Sequence, residues 1–348
     1  MTESLVAMLA RQRAAAASTL APAALDYYAT GSGEEVSLAE AERAWREHRL
    51  RPHVLRDVGS ISTATTVLGA ELRAPIIVGA TAWQSLGHVH GEVETARGAH
   101  DAETLMVVAT RASQRLEEIV AALSAPWWFQ VYVVRDRGLT RELVLRAVAA
   151  GARALMLTGD TPLFGRKPRH GDPPATDDMY FVNFRDHLEG RGDARAATQG
   201  DPTITLDTIG WLREMSGLPV LVKGVLRDDD ARDCADAGAA GVVVSNHGAR
   251  QLDRAVSSCT ALPEVVAAVG DRVTVLVDGG VRTGVDALIA LALGAKAVLL
   301  GRPVLWALAS DGAAGVAAML DAVRDDLVHA MMLAGVCDIA GIARDLVA

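Results

Sequence analysis

Aromatic side chains make up only 4% of the 348 residues, and cysteine occurs three times, at Cys234, Cys259 and Cys337. An odd number of widely spaced cysteines excludes a disulfide framework, and their spacing is not that of metal ligands. Reduced thiols in a cytoplasmic protein, with no metal site, are the expectation. No long basic run interrupts a chain of formal net charge -9, which argues against nucleic acid as a partner. No uninterrupted apolar run reaches the roughly 20 residues of a membrane span. The first apolar run is broken by Arg11 and Arg13, too early for a signal peptide. No membrane association is expected. What the chain does have is hydrophobic residues, half of the total, and 32 glycines. That composition supports a sizeable core with close helix–strand packing.

The order of segments points to an α/β architecture. Helical patterns cover Ser4 to about Ala17 and Ala23 to Ala29. Ser37 with Glu40 matches a capping box and predicts a helix to about His48. Two short strand-like pieces, Thr65–Leu68 and Ala70–Leu72, flank Gly69. Then eight short apolar runs alternate with helical patterns, beginning at Ile76–Ala80, Leu105–Val108, Trp127–Val133 and Ala154–Thr158. They continue with Val220–Lys223, Val242–Ser245, Val273–Asp278 and Ala297–Leu300. A last helix is expected from Gly315 to about Met332. Eight strand–helix units in series predict a (β/α)8 TIM barrel. A doubly wound sheet is the weaker reading, because no Gly-x-Gly-x-x-Gly turn follows the first strand. The whole chain reads as one domain, with N-terminal helices and short strands over 1–75, barrel over 76–305 and C-terminal helices over 306–348. The polar interval from about Gly165 to Thr203 has the composition of an active-site lid, with a disordered insertion as the competing reading.

Polar residues that interrupt the apolar runs fall at one end of this barrel, where such folds place their chemistry. The last two strands end in Asp278-Gly279-Gly280-Val281-Arg282 and Gly301-Arg302, two glycine–arginine turns suited to a phosphate. Lys223 ends the fifth strand, where a buried ammonium needs an electron-rich partner or a salt bridge, for example with Asp278. A flavin ring across the barrel mouth fits that position. The sixth strand ends in Ser245-Asn246-His247-Gly248-Ala249-Arg250, a base three residues from a fixed cation. Such a pair can take a proton from an anionic substrate.

These motifs, together with Tyr27-Tyr28-Ala29-Thr30-Gly31, Phe129-Gln130-Val131-Tyr132 and Thr158-Gly159-Asp160-Thr161-Pro162, resemble the FMN-dependent α-hydroxy-acid oxidase and dehydrogenase family. The resemblance spans almost the whole chain in order. It implies FMN as cofactor, a small 2-hydroxy acid as substrate and a homotetramer. It implies His247 as catalytic base, Asp160 as its orienting carboxylate, and Tyr132 and Tyr27 as hydrogen-bonding partners of the substrate. Arg250 would pair with the substrate carboxylate. Ala80, Thr81, Ala82, Ala109, Gln130, Thr158, Lys223 and Ser245 would surround the flavin ring. Asp278, Gly279, Gly280, Arg282, Gly301 and Arg302 would hold the phosphate end.

The chain departs from the family pattern at Ala80, at Ala109 and at Lys167, which stands where a second substrate-binding arginine is expected. Lysine keeps the charge and loses the bidentate fork, although Arg166 or Arg169 could substitute for it. Arg111 stands where an apolar side chain commonly lines the substrate pocket, with Trp83 and Phe164 expected beside it. The expectation is an (S)-2-hydroxy-acid oxidase using O2, acting on a substrate bulkier than glycolate, aromatic or bearing a second polar or anionic group. The alternatives are an FMN-barrel enzyme for a specialised biosynthetic metabolite, an isomerase-like relative included, and a flavin-binding protein with a decayed site. The polar loop after the fourth barrel strand, with Arg166 and Lys167, argues against a membrane-bound dehydrogenase.

Overall fold

The computed structural model of the protein describes residues 3–168, 174–190 and 192–348. Arg169, one of the alternatives to Lys167, lies outside the described residues. The eight apolar runs form one closed parallel barrel. A hairpin of β1 (Thr65–Val67) and β2 (Ala70–Leu72) precedes it. The barrel strands are β3 (Ile76–Val78), β4 (Met106–Ala109), β5 (Trp127–Val131), β6 (Leu155–Thr158), β7 (Val220–Val225), β8 (Gly241–Val244), β9 (Thr274–Asp278) and β10 (Val298–Leu300). Each pairs with its sequence neighbours, and β10 closes on β3. Strands buried on both faces need no polar alternation, which is why they appear as continuous Val, Leu and Ile runs.

Alternation reappears in where each residue points. Ile77, Val107, Trp128, Met156, Leu221, Val243, Leu276 and Leu299 pack together in the interior. Their neighbours Ile76, Val78, Met106 and Val108 join the larger cluster shared with the helices. Val67, Ala70 and Leu72 belong to the interior cluster, as do Leu105, Ala154 and Ala297 just ahead of their strands. The hairpin therefore plugs the N-terminal mouth and leaves the opposite mouth open for chemistry.

Three expectations are corrected. The helix expected from Ser37 runs Val36–Glu47 and has no side-chain cap, with Glu35 at its start in a left-handed conformation. Ser37 Oγ instead donates to the Ala255 carbonyl at 2.9 Å, a tertiary contact that overrides the local capping signal. The capping box that does form joins Thr283 and Asp286 at the helix Gly284–Ala292. The last helix starts at Arg302, directly after β10, and runs to Ala334 with a break at Asp311–Gly312, where Gly312 has φ 58°. By length and composition this helix could cross a membrane, which the broken apolar runs do not suggest. More than half of its apolar window is buried in the fold, and the break divides it in two.

The interval after β6 is also revised. Its described part carries the short helices Asp177–Phe181 and Ala194–Thr198 and is folded against the strand ends. Asn183, 4% exposed, accepts from Leu116 N at 2.9 Å and donates to the Gln114 carbonyl at 2.9 Å. Residues 174–190 and 192–200 thus form a packed wall of the open mouth. A disordered insertion does not describe them.

Candidate active site

Three residues from three strand ends converge at the open mouth. His247 Nδ1 lies 2.9 Å from Asp160 Oδ1 and its Nε2 lies 3.3 Å from the Tyr132 hydroxyl. A carboxylate only accepts, so Nδ1 carries the proton and Nε2 presents its lone pair. Burial would raise the Asp160 carboxyl, but the His247 ring, Lys223 and Thr161 hold it down to about 2. Burial, then the Asp160 charge, pushes the Tyr132 phenol well above its ordinary value, so it stays a donor. The turn carrying His247 is strained. His247, Gly248 and Ala249 have φ of 59°, 61° and 62° in succession, a conformation that side-chain-bearing residues avoid. It is held by Ser245 Oγ accepting from His247 N at 3.0 Å and Asn246 Oδ1 accepting from Ala249 N at 3.0 Å.

Beside this base stands a group of cations without carboxylate partners among the described residues. Arg250 Nη1 donates to the Tyr27 and Thr30 carbonyls at 2.6 and 3.1 Å, and its guanidinium lies 4.8 Å from the Tyr27 ring centroid. Arg302 donates to the carbonyls of Tyr28, Gly248 and Thr30 at 3.0, 2.9 and 3.2 Å. Burial, then the charges of Arg250 and Arg282, lowers the Arg302 guanidinium to about 9. Lys167 Nζ donates to the Arg250 carbonyl at 3.2 Å and is lowered to about 7 by burial and by Arg250 and Arg302. Buried cations that depress one another in this way favour an anion between them. The open cavity bordered by Arg250 and Arg302 reaches from Tyr27, Tyr132 and His247 to Gly279, Gly280, Arg282, Gly301 and Arg302.

Comparison with known proteins agrees with this arrangement. A family model described as FMN-dependent dehydrogenase matches residues 16–348. The chain belongs to the FMN-dependent dehydrogenase family. It is 43% identical over 334 residues to an L-lactate oxidase of Nostoc sp., covering 91% of each chain. It is 40% identical over 336 residues to the glycolate oxidase of Spinacia oleracea, covering 93% of this chain and 90% of the relative. A crystal structure of mandelate oxidase superposes with a TM-score of 0.89 at 39% identity, covering 97% of this chain and 96% of that one.

The cavity of this FMN-dependent dehydrogenase fits the cofactor. Gly279 and Gly280 have φ of 89° and 81°, and a Cβ on Gly280 would sit 2.0 Å from the Ala41 carbonyl oxygen. Only glycine fits this close approach to Ala41, and the backbone of both glycines lines the cavity. Gly301 precedes the Arg302 helix with no side chain of its own; Pro303 has no N–H and Val304 N donates to the Gly301 carbonyl at 3.0 Å, so the N–H that this helix start offers a phosphate is that of Arg302. Ala80, Thr81, Ala82 and Ala109 supply a wall of small side chains. Gln130 Nε2 donates to Thr158 Oγ1 at 2.8 Å, and its Oε1 accepts from Thr110 N at 3.1 Å. Lys223 Nζ lies 3.2 Å from Asp278 Oδ2 and donates to Ser245 Oγ at 2.8 Å. Burial would lower this ammonium, but Asp278 and Asp160 outweigh it and raise it. The salt bridge with Asp278 therefore exists, and Lys223 also faces the cavity. Asp278 Oδ1 is buried with no hydrogen-bond partner among the described residues, which fits a wall completed by a polar cofactor.

Four residues expected at the site stand behind the cavity wall. Asp160 lies behind His247 and acts through it. Ser245 is fully buried and braces Lys223 and His247 rather than touching the cavity. Lys167 sits on the far side of the Arg250 backbone. Arg111 is buried over the rings of Tyr180 and Phe184, its guanidinium 4.3 and 5.1 Å from their centroids, and donates to the Thr198 carbonyl. Trp83 is its neighbour, as expected, whereas Phe164 is 54% exposed. Two positioning residues are not visible from the sequence. Thr161 Oγ1 donates to Asp160 Oδ1 at 3.1 Å. Gln251 donates to the Asp160 and Leu163 carbonyls and accepts from Gly165 N, tying the β6 loop to the His247 turn. Their one signal is adjacency to motif residues, which does not distinguish a brace from a bystander.

Proposed function

We propose that this protein oxidises a 2-hydroxy acid to the 2-oxo acid, with O2 as terminal acceptor and hydrogen peroxide as second product. The observation that carries the reading is His247. Its Nδ1 is held by Asp160, which leaves the Nε2 lone pair facing the cavity beside Arg250. Arg250 receives the substrate carboxylate, and Tyr27 and Tyr132 orient the two substrate oxygens. His247 Nε2 removes the hydroxyl proton, and Asp160 stabilises the resulting imidazolium. FMN, held by the residues named above, would supply the two-electron acceptor for the substrate's α-C–H bond. His247 then returns its proton to solvent, and the two electrons and two protons pass to O2.

The names of the relatives, L-lactate oxidase, glycolate oxidase and mandelate oxidase, support an oxidase. The mandelate oxidase likeness supports a substrate bulkier than glycolate. Cytoplasmic residence is supported by three cysteines without disulfides. A homotetramer is carried from the family resemblance and is read directly by light scattering. Anaerobic mixing of the holoenzyme with a panel of 2-hydroxy acids, followed by admission of air, tests the function. The flavin band should bleach, then recover with one hydrogen peroxide per turnover. Absence of bleaching with every acid would leave a flavin-binding protein without this activity.

A further inference from the structure

Behind the pocket wall, beyond Tyr27 and Tyr132, lie two buried donor groups with nothing among the described residues to donate to. Arg111 is 4% exposed and Trp83 is 1% exposed. Arg111 Nη1 and Trp83 Nε1 have no hydrogen-bond partner among the described residues. Both side chains meet one ring, Tyr180, with Trp83 stacked at 6.0 Å between centroids and Arg111 over it at 4.3 Å. The Trp83 ring also lies 5.4 Å from that of Tyr27, which lines the cavity. Arg111 follows Thr110, whose Oγ1 accepts from Tyr132 N at 2.9 Å. The two donors are thus one ring beyond the substrate tyrosines.

This wall is built to hold them. Trp83 N donates to the Arg111 carbonyl at 2.9 Å, and Trp83 has φ 52°. Glu92, fully buried, accepts from Gln84 N at 3.0 Å and from Ser113 N at 2.9 Å, joining the two loops that carry the pair. Among the described residues, the groups that bear most on Arg111 are Tyr180, Tyr132, Tyr27 and Arg195, none of them a carboxylate. A guanidinium out of water without a counter-anion is costly. Its contacts with Tyr180, Phe184 and Thr198 explain how it pins the segment after β6. They leave Nη1 and the Trp83 N–H unexplained.

We propose that Arg111 and Trp83 bind a second carboxylate, so that the preferred substrate is a 2-hydroxy dicarboxylic acid held by Arg250 at one end and Arg111 at the other. This rests on the 2-hydroxy-acid reading above. A carboxylate supplies acceptors for both orphaned donors and the missing counter-charge. Arg111 and Trp83 are then specificity-determining residues, separate from the proton chemistry at His247.

The test compares 2-hydroxy diacids of increasing chain length with chain-matched monoacids on the holoenzyme. At one length the diacid should exceed its monoacid in kcat/KM by at least about tenfold. Arg111→Gln should lower kcat/KM for that diacid by roughly 10–100-fold and leave the monoacid within a few-fold. Arg111→Lys should recover part of the loss, and Trp83→Phe, which keeps the ring and removes the N–H, should show a smaller loss for diacids alone. Non-reactive diacids and monoacids titrated against the flavin absorption band give a readout independent of turnover. The diacid should bind tighter, and the gap should vanish in Arg111→Gln or, if that variant does not fold, narrow in Trp83→Phe. Equal binding of diacid and monoacid in the native enzyme, or equal losses for both in the variants, overturns the second carboxylate site. Failure of every 2-hydroxy acid to bleach the flavin overturns the oxidase reading instead, and the titration still decides the role of Arg111.

Discussion

His247 and Lys167 divide the work at the residue scale between proton transfer and charge. His247→Gln keeps polarity and size but cannot take a proton at Nε2. The variant should retain bound FMN and lose anaerobic bleaching by roughly 10²–10⁴-fold, the usual worth of a general base. Stopped-flow bleaching near the native rate would remove His247 from that role. Lys167 poses a different question, because burial and the charges of Arg250 and Arg302 lower it to about 7. Below that pH it is an ammonium that adds to the attraction for a carboxylate, and above it the lysine is neutral. kcat/KM should therefore decline as pH rises through about 7, with the change mostly in KM. The Lys167→Arg variant stays charged across this range and should abolish the break. A KM that is flat across this titration in the native enzyme would mean that the Lys167 charge does not reach the substrate.

At the scale of elements, β7 shows how a backbone irregularity serves the site. Its register against β8 slips between Lys223 and Val225, a bulge that turns Lys223 toward the mouth. Gly224 in that bulge has φ 108°, and a Cβ there would lie 2.4 Å from the Asp160 Cβ. Gly224→Ala should cost more than about 1 kcal/mol of stability and displace Asp160 from His247. Thermal unfolding and single-turnover reduction should fall together, whereas a variant as stable and as fast as native would show that the bulge has room to spare. The elements themselves are legible because eight strands buried on both faces leave eight apolar runs, and parallel strands force a helix between each pair. The Ser37 cap misleads because its hydroxyl is taken by Ala255, more than two hundred residues away, a contact that local spacing does not contain. The start of the last helix is hidden because Arg302-Pro303 resembles a phosphate turn, and it is both that turn and a helix N-terminus. The position of Arg111 after β4 points to the substrate pocket, but its partners Tyr180, Phe184 and Thr198 come from a segment with little pattern of its own. What the site needs from single strand ends can be seen in the chain, and what it needs from packing between distant loops cannot.

The molecule as a whole carries a net charge of -9, yet the cavity that must admit an anion is bordered by Arg250, Arg302, Arg282 and Lys223, with Lys167 behind Arg250. Among these only Arg282 and Lys223 are paired with carboxylates of the described residues, Glu42 at 3.1 Å and Asp278 at 3.2 Å. The surface acids, by contrast, sit beside basic partners, as in Arg232–Asp228 and Arg46–Glu42, so much of their field is cancelled locally. A cleft of one sign within low-dielectric walls focuses its potential more effectively than a dispersed net charge opposes it. Two opposite outcomes follow from the two scales of charge. If the cleft governs encounter, added salt screens an attraction, and kcat/KM for an anionic substrate falls as ionic strength increases over the range in which the Debye length shortens from about 30 to about 8 Å. If the net charge governs, salt screens a repulsion and kcat/KM rises. The position of the unpaired arginines predicts the fall, with kcat nearly constant because chemistry at His247 lies inside the screened volume. A dicarboxylate should show the steeper dependence than a monoacid of the same length, since two charges enter the same field.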